Sequence, residues 1–79
     1  MTESEAMRRT TEIAPKYQIK VEPKEGGWYR AFPVDLPNDI SWYPSADGAR
    51  GMAYHSIFQA IKFRLLHGGE LPPMTTAKA

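Results

Sequence analysis

The segment YQIKVEPKEGGWYRAFP, residues 17–33, decides the fold of this 79-residue chain. In its first half, Tyr17, Ile19 and Val21 alternate with polar residues, and this period of two is typical of a half-buried strand. The glycine pair 26–27 then supplies a turn, after which WYRAF forms a second β-prone run that a proline closes. The segment therefore predicts a β-hairpin.

A third strand and a long helix are expected after the hairpin. The prolines and turn residues of PVDLPND separate the hairpin from a short strand at Ile40–Tyr43. Within residues 45–69, Ser45 or Asp47 can cap a helix, and a glycine pair offers its C-terminal exit. One broad apolar arc on this helix is its expected core stripe, formed by Ala53, Tyr54, Ile57, Phe58, Ala60, Ile61 and Leu65.

These elements predict an α+β domain over residues 16–73. One helix packs on one face of an antiparallel sheet of three strands, or four if Glu70 and Leu71 add a brief last strand. Each internal glycine of the helix, Gly48 and Gly51, costs about 1 kcal/mol relative to alanine, so we expect a firm helix only from Met52.

The two ends of the chain lack a core pattern. Residues 1–15 are polar and have no apolar stripe, which predicts a flexible N-terminal tail. Residues 74–79 are expected to fray at the C terminus.

Charge and composition exclude several classes of protein. Ten Lys and Arg residues against nine Asp and Glu residues give a net charge of +1, which disfavours a nucleic-acid or membrane partner. The chain has no cysteine, so it has neither disulfides nor a thiolate zinc site, and a reducing cytoplasm fits best. No apolar run approaches the roughly 20 residues of a membrane span, so we expect a soluble protein. A domain this small is expected to associate with partners or with itself, most simply as a homodimer.

Residues suited to chemistry are few and poorly spaced. Asp47, His55 and Ser56 are the residue types of a nucleophilic triad, but neighbouring helical residues point about 100° apart. His55 and His67 lie on different helix faces without acidic or sulfur companions at ligand spacing. The loop aspartates stand among Pro, Asn and Gly, which indicates turns. We therefore predict no enzymatic activity, no cofactor and no metal.

The chain carries more aromatic and apolar side chains than one helix–sheet interface covers. Both faces of the second and third strands are aromatic, and the helix has apolar residues outside its core stripe. Trp, Tyr and Arg contribute strongly to protein interfaces. The predicted partner interface comprises Trp28, Tyr29, Arg30, Asp35, Leu36, Trp42, Tyr43, Met52, Phe63 and Leu66.

Two alternatives to this interface stay open. A small domain needs large rings in its core, an explanation favoured for Tyr17, Phe32 and Trp42. The surplus apolar residues of the helix can instead pack under the N-terminal tail or the PVDLP loop. The strand register that decides the burial of Trp28 is also left open.

The segment YQIKVEPKEGGWYRAFPVDLP, the short strand, the capped helix with Ala49 and Ala53 four apart, and the ending GGELPP resemble the HicB-like antitoxin domain. In that family a hairpin with a GGY or GGW turn runs into an fPDLPG loop. The resemblance spans Tyr17–Pro73. This chain departs from the family by the extra Val34, by Asn38 in place of glycine and by YPSADGARGMA at the helix start.

The resemblance implies a reduced RNase H-like architecture without the catalytic carboxylates. It also implies a function, namely to bind and neutralise a small RNA-cleaving HicA-type toxin, in a stand-alone form without the usual C-terminal DNA-binding domain. One alternative is a phage or mobile-element inhibitor that reuses the fold to occlude another host protein, such as a defence nuclease. A weaker alternative is a nucleic-acid-binding module that uses Arg30, Arg50, Lys62 and Arg64.

Overall fold

The computed structural model describes residues 1–72 and contains two helices and three strands. In chain order these are α1 (Glu3–Ile13), β1 (Ile19–Pro23), β2 (Tyr29–Pro33), β3 (Ser41–Tyr43) and α2 (Ala46–His67), with short 3₁₀ turns at Ala14–Lys16 and Glu25–Gly27. The sheet is antiparallel in the order β1-β2-β3, α2 packs against all three strands, and α1 packs against α2. The predicted α+β fold, with a helix on one face of an antiparallel sheet, is confirmed.

The C-terminal end of the expected domain differs in one respect. Glu70 and Leu71 form no strand, so the sheet of the described residues has three strands. The expected frayed segment 74–79 lies outside the described residues. Within residues 1–72, neither helix combines the length and the apolar character that a membrane span requires.

The hairpin forms because its turn residues accept backbone conformations that other residues avoid. Gly26 and Gly27 have φ angles of 75° and 79°, in the left-handed region that favours glycine. The Lys24 amide donates to the Trp28 carbonyl at 2.7 Å and closes the turn. Ile19 pairs with Pro33 at one end of the hairpin, and Pro23 pairs with Tyr29 at the other.

Small side chains decide which face of the sheet receives α2. Ala31 on β2 is fully buried against Ala49 and Ala53 of α2. Ile19, Val21 and Tyr29 pack around this alanine contact, so the odd-numbered residues of β1 and β2 face the helix. Trp28 has the opposite parity and points away from α2, which resolves the register that the sequence left open.

The larger part of the core lies further along α2. Ile57 and Ile61 are fully buried with Ala14 and Tyr17, and Leu36 packs against this cluster. The Tyr17 hydroxyl donates a hydrogen bond to the Pro72 carbonyl at 2.7 Å, and this bond ties the chain beyond α2 to the start of the sheet. Burial, with a smaller contribution from the Asp35 charge, raises the pKa of Tyr17 above its ordinary value.

We expect Tyr17→Phe to lower the free energy of unfolding by about 1 kcal/mol, because the Pro72 carbonyl loses its donor. The unfolded state ionises Tyr17 before the folded state does, so this contribution to stability is complete below pH of about 10 and falls as the pH rises further. Urea titrations of both proteins between pH 7 and 10.5 measure both effects. An unchanged stability at pH 7 would contradict the structural role of this hydrogen bond.

Helix α2 begins six residues before Met52, where a firm helix was expected to start, so that expectation is wrong. Ser45 is the N-cap, and its hydroxyl accepts a hydrogen bond from the Gly48 amide at 3.1 Å. Gly48 also leaves room for the Tyr43 ring, since a Cβ atom at position 48 would clash with Tyr43 Cδ2. This contact and the cap offset the low helix propensity of the first turn. Gly68, with φ of 75°, ends the helix as the sequence predicts.

The two helix glycines should respond oppositely to substitution by alanine. No atom lies within 4 Å of a Cβ atom built on Gly51, so Gly51→Ala should stabilise the protein by about 0.5 to 1 kcal/mol through helix propensity. The same change at Gly48 must displace the Tyr43 ring and crowd the Ser45 hydroxyl, and should give no gain or a loss. Thermal and urea unfolding of the two variants provide the comparison. A similar gain at both positions would show that the Tyr43 contact has no energetic weight.

The N-terminal segment forms a helix where the sequence predicts a flexible tail. Thr2 and Glu5 make a capping box, in which each side chain bonds to the other residue's backbone amide. Ala6 and Thr10 are completely buried, and the Thr10 hydroxyl donates to the Ala6 carbonyl at 2.7 Å. The face of α1 that packs on α2 therefore begins with the small side chains of Ala6 and Thr10 and has one large apolar residue, Ile13, at its end, so it carries no extended apolar stripe in the sequence.

An ion pair joins the two helices. Lys62 Nζ lies 2.9 Å from a Glu3 carboxylate oxygen, and the Lys62 side chain is largely buried while Glu3 is exposed. The hydrogen bond of Thr2 lowers the pKa of Glu5 at the start of α1. α1 covers part of the apolar surface of α2, which the sheet alone does not reach.

Candidate interaction surface

The face of the sheet away from α2 collects aromatic and charged side chains. Residues opposite each other in antiparallel strands share a face, and Glu22 pairs with Arg30, which in turn pairs with Trp42. We call this surface the outer face; strand pairing places Lys20, Glu22, Arg30, Phe32 and Trp42 on it, and Trp28 joins them beside Trp42. Trp28 is 47% exposed and Trp42 49% exposed, whereas Ala31 on the opposite side of β2 is completely buried.

Arg30 occupies the centre of the outer face and is held on two sides. Its Nε donates to Glu22 Oε1 at 2.9 Å, and its Nη2 donates to the same oxygen. Its guanidinium carbon lies 5.6 Å from the centroid of the Phe32 ring, within the range of a cation–π contact. Because Arg30 is fixed while still partly exposed, a ligand that contacts it loses little additional side-chain entropy.

The outer face carries an excess of positive charge. Lys20 and Lys24 each place Nζ 3.7 Å from a Glu22 carboxylate oxygen, and Arg30 is bonded to the same carboxylate. Three cations thus share one anion. The hydrogen bond from Arg30 is the main cause that lowers the pKa of Glu22, so the carboxylate stays ionised to a lower pH than an ordinary glutamate does. This cluster favours a ligand with acceptor groups or negative charge.

The two tryptophans border a hollow at the turn end of the outer face. Trp28, Trp42 and Glu25 line a shallow volume of about 310 Å³. Exposed indole rings on either side of a hollow provide apolar walls with polar N–H groups, which is the composition of interface anchors. Two of the predicted interface residues, one from the turn and one from β3, are therefore brought together with Arg30.

Other predicted interface residues lie elsewhere. Tyr29 points toward α2, where it packs on the alanine contact. Leu36 packs on the core around Ile57, and Asp35 is half-buried beside it. Asp35 and Leu36 therefore lie apart from Trp28 and Arg30, because the loop packs on α2 and not on the outer face.

The loop between β2 and β3 is fastened to α2 by its own hydrogen bonds. Ser56 Oγ donates to Asp39 Oδ2 at 2.6 Å, and the amides of Leu36 and Asp39 close two turns at 3.0 Å. A shallow cavity of about 330 Å³ remains between this loop and the Ala60 and Arg64 positions of α2. The loop is therefore held on α2 by the Asp39 hydrogen bond and by the packing of Leu36.

The apolar residues on the outside of α2 form a separate surface. Phe63 is 63% exposed, and its ring centroid lies 4.2 Å from that of His67. Met52 is exposed near Tyr43, and Leu66 is half-buried. Neither the N-terminal helix nor the loop covers Met52 and Phe63, so the alternative that they are buried there is wrong for these two residues.

The alternative that large rings fill the core holds for only one of its three residues. Tyr17 is buried, whereas Phe32 is half-buried on the outer face and Trp42 is exposed. Phe32 and Trp42 lie on strands as the sequence predicts, whereas Tyr17 precedes β1; the side of the sheet to which Trp42 points depends on the position of α2.

The polar residues considered for chemistry are dispersed. Ser56 bonds to Asp39, whereas Asp47 lines a cleft at the start of β1 and His55 is exposed on α2. In the part of the chain that the structure describes, no three His, Asp or Glu side chains lie close enough to hold a metal ion. That cleft measures about 770 Å³, and Asp47 and Arg50 are its two charged lining residues.

The arginines and lysine proposed for nucleic-acid contact do not gather. Lys62 is paired with Glu3, the Arg64 side chain donates to the Ala60 carbonyl at 3.3 Å, and Arg50 lines the cleft. Only Arg30 of that set lies on the outer face. Sequence reasoning missed Lys20 and Lys24 as its companions, although the strand alternation placed Lys20 on the polar side.

Comparison with known proteins gives no match: no family model, no curated protein and no solved structure is significantly similar to this chain. The geometry of the described residues is therefore the basis for a functional assignment.

Proposed function

We propose that this chain is a non-catalytic binding domain that uses the outer face of its sheet to capture a protein partner. The observation that carries this proposal is the exposed cluster of Trp28, Arg30 and Trp42 on a sheet face that neither helix covers. Aromatic and arginine side chains of this kind dominate the binding energy of protein interfaces.

The preorganisation of the cluster supports the same proposal. Arg30 is already fixed by Glu22 and Phe32, and Trp28 adjoins a turn whose glycines define its backbone. Binding therefore immobilises few additional groups. The excess of positive charge around Glu22 suits a partner with carboxylate groups facing the sheet.

The resemblance to HicB-like antitoxins supplies the class of partner. We propose that the partner is a small RNA-cleaving HicA-type toxin, which the chain neutralises by covering part of its surface. The outer face is equally suited to an alternative, in which the chain is a phage or mobile-element inhibitor and its partner is another host protein such as a defence nuclease. Both assignments use the same residues and differ only in the protein that is captured.

A second candidate function is the binding of single-stranded nucleic acid. Lys20, Lys24 and Arg30 lie beside two exposed indoles, and this arrangement favours the second candidate. Proteins bind single strands by stacking bases on aromatic rings and by contacting phosphates with cations. The net charge of +1 of the whole chain argues against a strong interaction.

Affinity capture from the native cell tests the proposal with two matched double variants. Trp28→Ala with Trp42→Ala removes the exposed rings of the outer face, whereas Met52→Ala with Phe63→Ala removes exposed apolar groups from α2. We expect mass spectrometry to identify a ribonuclease or another protein that is retained by the wild type and the α2 variant and lost by the outer-face variant. Retention of that protein by the outer-face variant would contradict the proposal.

Binding of a fluorescent single-stranded RNA separates the second candidate. We expect weak association that is similar in the wild type and the outer-face variant. Tight binding that is lost in the outer-face variant, and that weakens steeply between 50 and 200 mM salt on the order expected for several phosphate contacts, would favour the nucleic-acid function instead.

A further inference from the structure

The free edge of β3 has the properties of a strand that pairs with another strand. In the β1–β2 ladder, the amides of Val34 and Lys24 bond to Gln18 and Trp28, so even-numbered residues of β2 direct their backbone groups toward β1. Odd-numbered residues of β2 therefore face β3, where they pair with Ser41 and Tyr43. It follows that the N–H and C=O groups of Trp42 point outward.

These outward groups are not used by other parts of the described chain. Among residues 1–72, none of the backbone hydrogen bonds outside the helices and the sheet ladders involves Trp42. Ile40 and Tyr43, which lie before and after Trp42 in the chain, are 42% and 43% exposed, so apolar side chains adjoin the open edge. An exposed apolar edge strand is a template for pairing with a further strand.

The two edges of the sheet differ in charge. The sequence Ile40–Tyr43, ISWY, contains no charged residue, whereas the β1 edge carries Lys20 and Glu22 and is followed by Lys24. Pro23 also removes an outward N–H from the β1 edge, because its parity places it on the free side. Of the two edges of the sheet in residues 1–72, the β3 edge is the one suited to strand addition.

We propose that β3 pairs antiparallel with β3 of a second copy of this chain, about a two-fold axis at Trp42, to give a continuous six-stranded sheet. In this arrangement the Trp42 N–H of each copy donates to the Trp42 C=O of the other. A two-fold axis at Trp42 sets Trp42 opposite its own copy and Ser41 opposite Tyr43 of the second copy, so none of these cross-strand pairs brings like charges together.

The same geometry limits the assembly to two copies. Pro44 follows β3 and lacks an N–H, so it shortens the ladder on one side of Trp42. The β1 edges at the two ends of the six-stranded sheet are charged and interrupted by Pro23, so they do not accept a third copy. The pair also places the two outer faces side by side, with the two Trp42 indoles adjacent at the axis.

A matched pair of variants separates edge pairing from side-chain contact. Both Trp42→Pro and Trp42→Ala remove the indole, but only proline removes the outward N–H; neither change touches the backbone bonds between β2 and β3, which use Ser41 and Tyr43. We expect sedimentation equilibrium to show a concentration-dependent dimer for the wild type, a weakened dimer for Trp42→Ala and a monomer for Trp42→Pro. Equal dimerisation of both variants, or a monomeric wild type at millimolar concentration, would overturn the proposal.

Amide hydrogen exchange of the unmodified protein provides an independent test. The Trp42 amide should exchange at least about tenfold more slowly in concentrated than in dilute protein, whereas the Val21 amide on the β1 edge should not change. Protection of Val21 with no change at Trp42 would place the contact on the wrong edge. Sedimentation and exchange are both measured without a partner protein, so they test the pairing of β3 and not partner capture by the outer face.

Discussion

Replacement of Ile57 by alanine is expected to lower the free energy of unfolding by about 2 to 5 kcal/mol. Ile57 is fully buried in the middle of α2, where it meets Ile61, Ala14 and Tyr17. The change removes buried methyl groups and leaves a cavity at the junction of α2 with the segment that precedes β1. A domain of this length has a total stability of roughly 4 to 12 kcal/mol, so the variant should lose a large share of it.

Urea unfolding followed by circular dichroism measures this effect, and Ile40→Ala is the matched control. The same atoms are removed at Ile40, but that side chain is exposed, so the change should be within about 0.5 kcal/mol of the wild type in dilute protein. If the two variants were equally stable, Ile57 would not be the central residue of the core, and the packing of α2 described above would be wrong.

Replacement of Trp28 by alanine is expected to weaken partner affinity by about 2 kcal/mol, close to thirtyfold, while leaving the thermal midpoint nearly unchanged. The separation of the two effects follows from the position of Trp28, which is exposed on the outer face beside Arg30 and away from α2. Isothermal titration calorimetry with the captured partner and thermal unfolding of the same samples give both quantities.

Phe63→Ala provides the control for loss of exposed aromatic surface. Phe63 is more exposed than Trp28 but lies on the outside of α2, so its replacement should leave affinity within about twofold of the wild type. If Trp28→Ala melted the domain, or if Phe63→Ala weakened binding by the larger amount, the interface would have to be sought on α2 around Met52 and Phe63.

Protonation of Glu22 in acid should release Arg30 from its fixed position on the outer face. The ionised Glu22 carboxylate holds Arg30 in place. Because the pKa of Glu22 is lower in the folded protein than in the unfolded chain, the stabilisation from this ion pair is complete above the unfolded-state pKa and is lost as the pH falls through the folded-state pKa. Neutral Glu22 would also leave Lys20, Lys24 and Arg30 without their shared anion. The same groups that preorganise Arg30 therefore also set the range of pH in which it is preorganised.

The sequence by itself determined the hairpin and the long helix. Alternation from Tyr17 to Val21, the glycine turn, and the Ser45 cap with its glycine exit at position 68 are local signals, and each predicts an element that the structure contains, although β1 begins only at Ile19. Strand parity also determined that Trp28 and Arg30 share one face. These features depend on neighbouring residues in the chain, so no knowledge of the rest of the fold was needed.

Only the tertiary structure decided which face is covered. Close approach of Ala31 to Ala49 and Ala53 brings α2 to one side of the sheet and leaves Trp28 and Trp42 on the other. The docking of α1 through Ala6 and Thr10 was missed for the same reason, since small residues carry little hydrophobic signal in sequence but permit close packing when a complementary surface is present. Contacts of this kind join residues that are distant in the chain, and their energy comes from shape at the contact, which local periodicity does not encode.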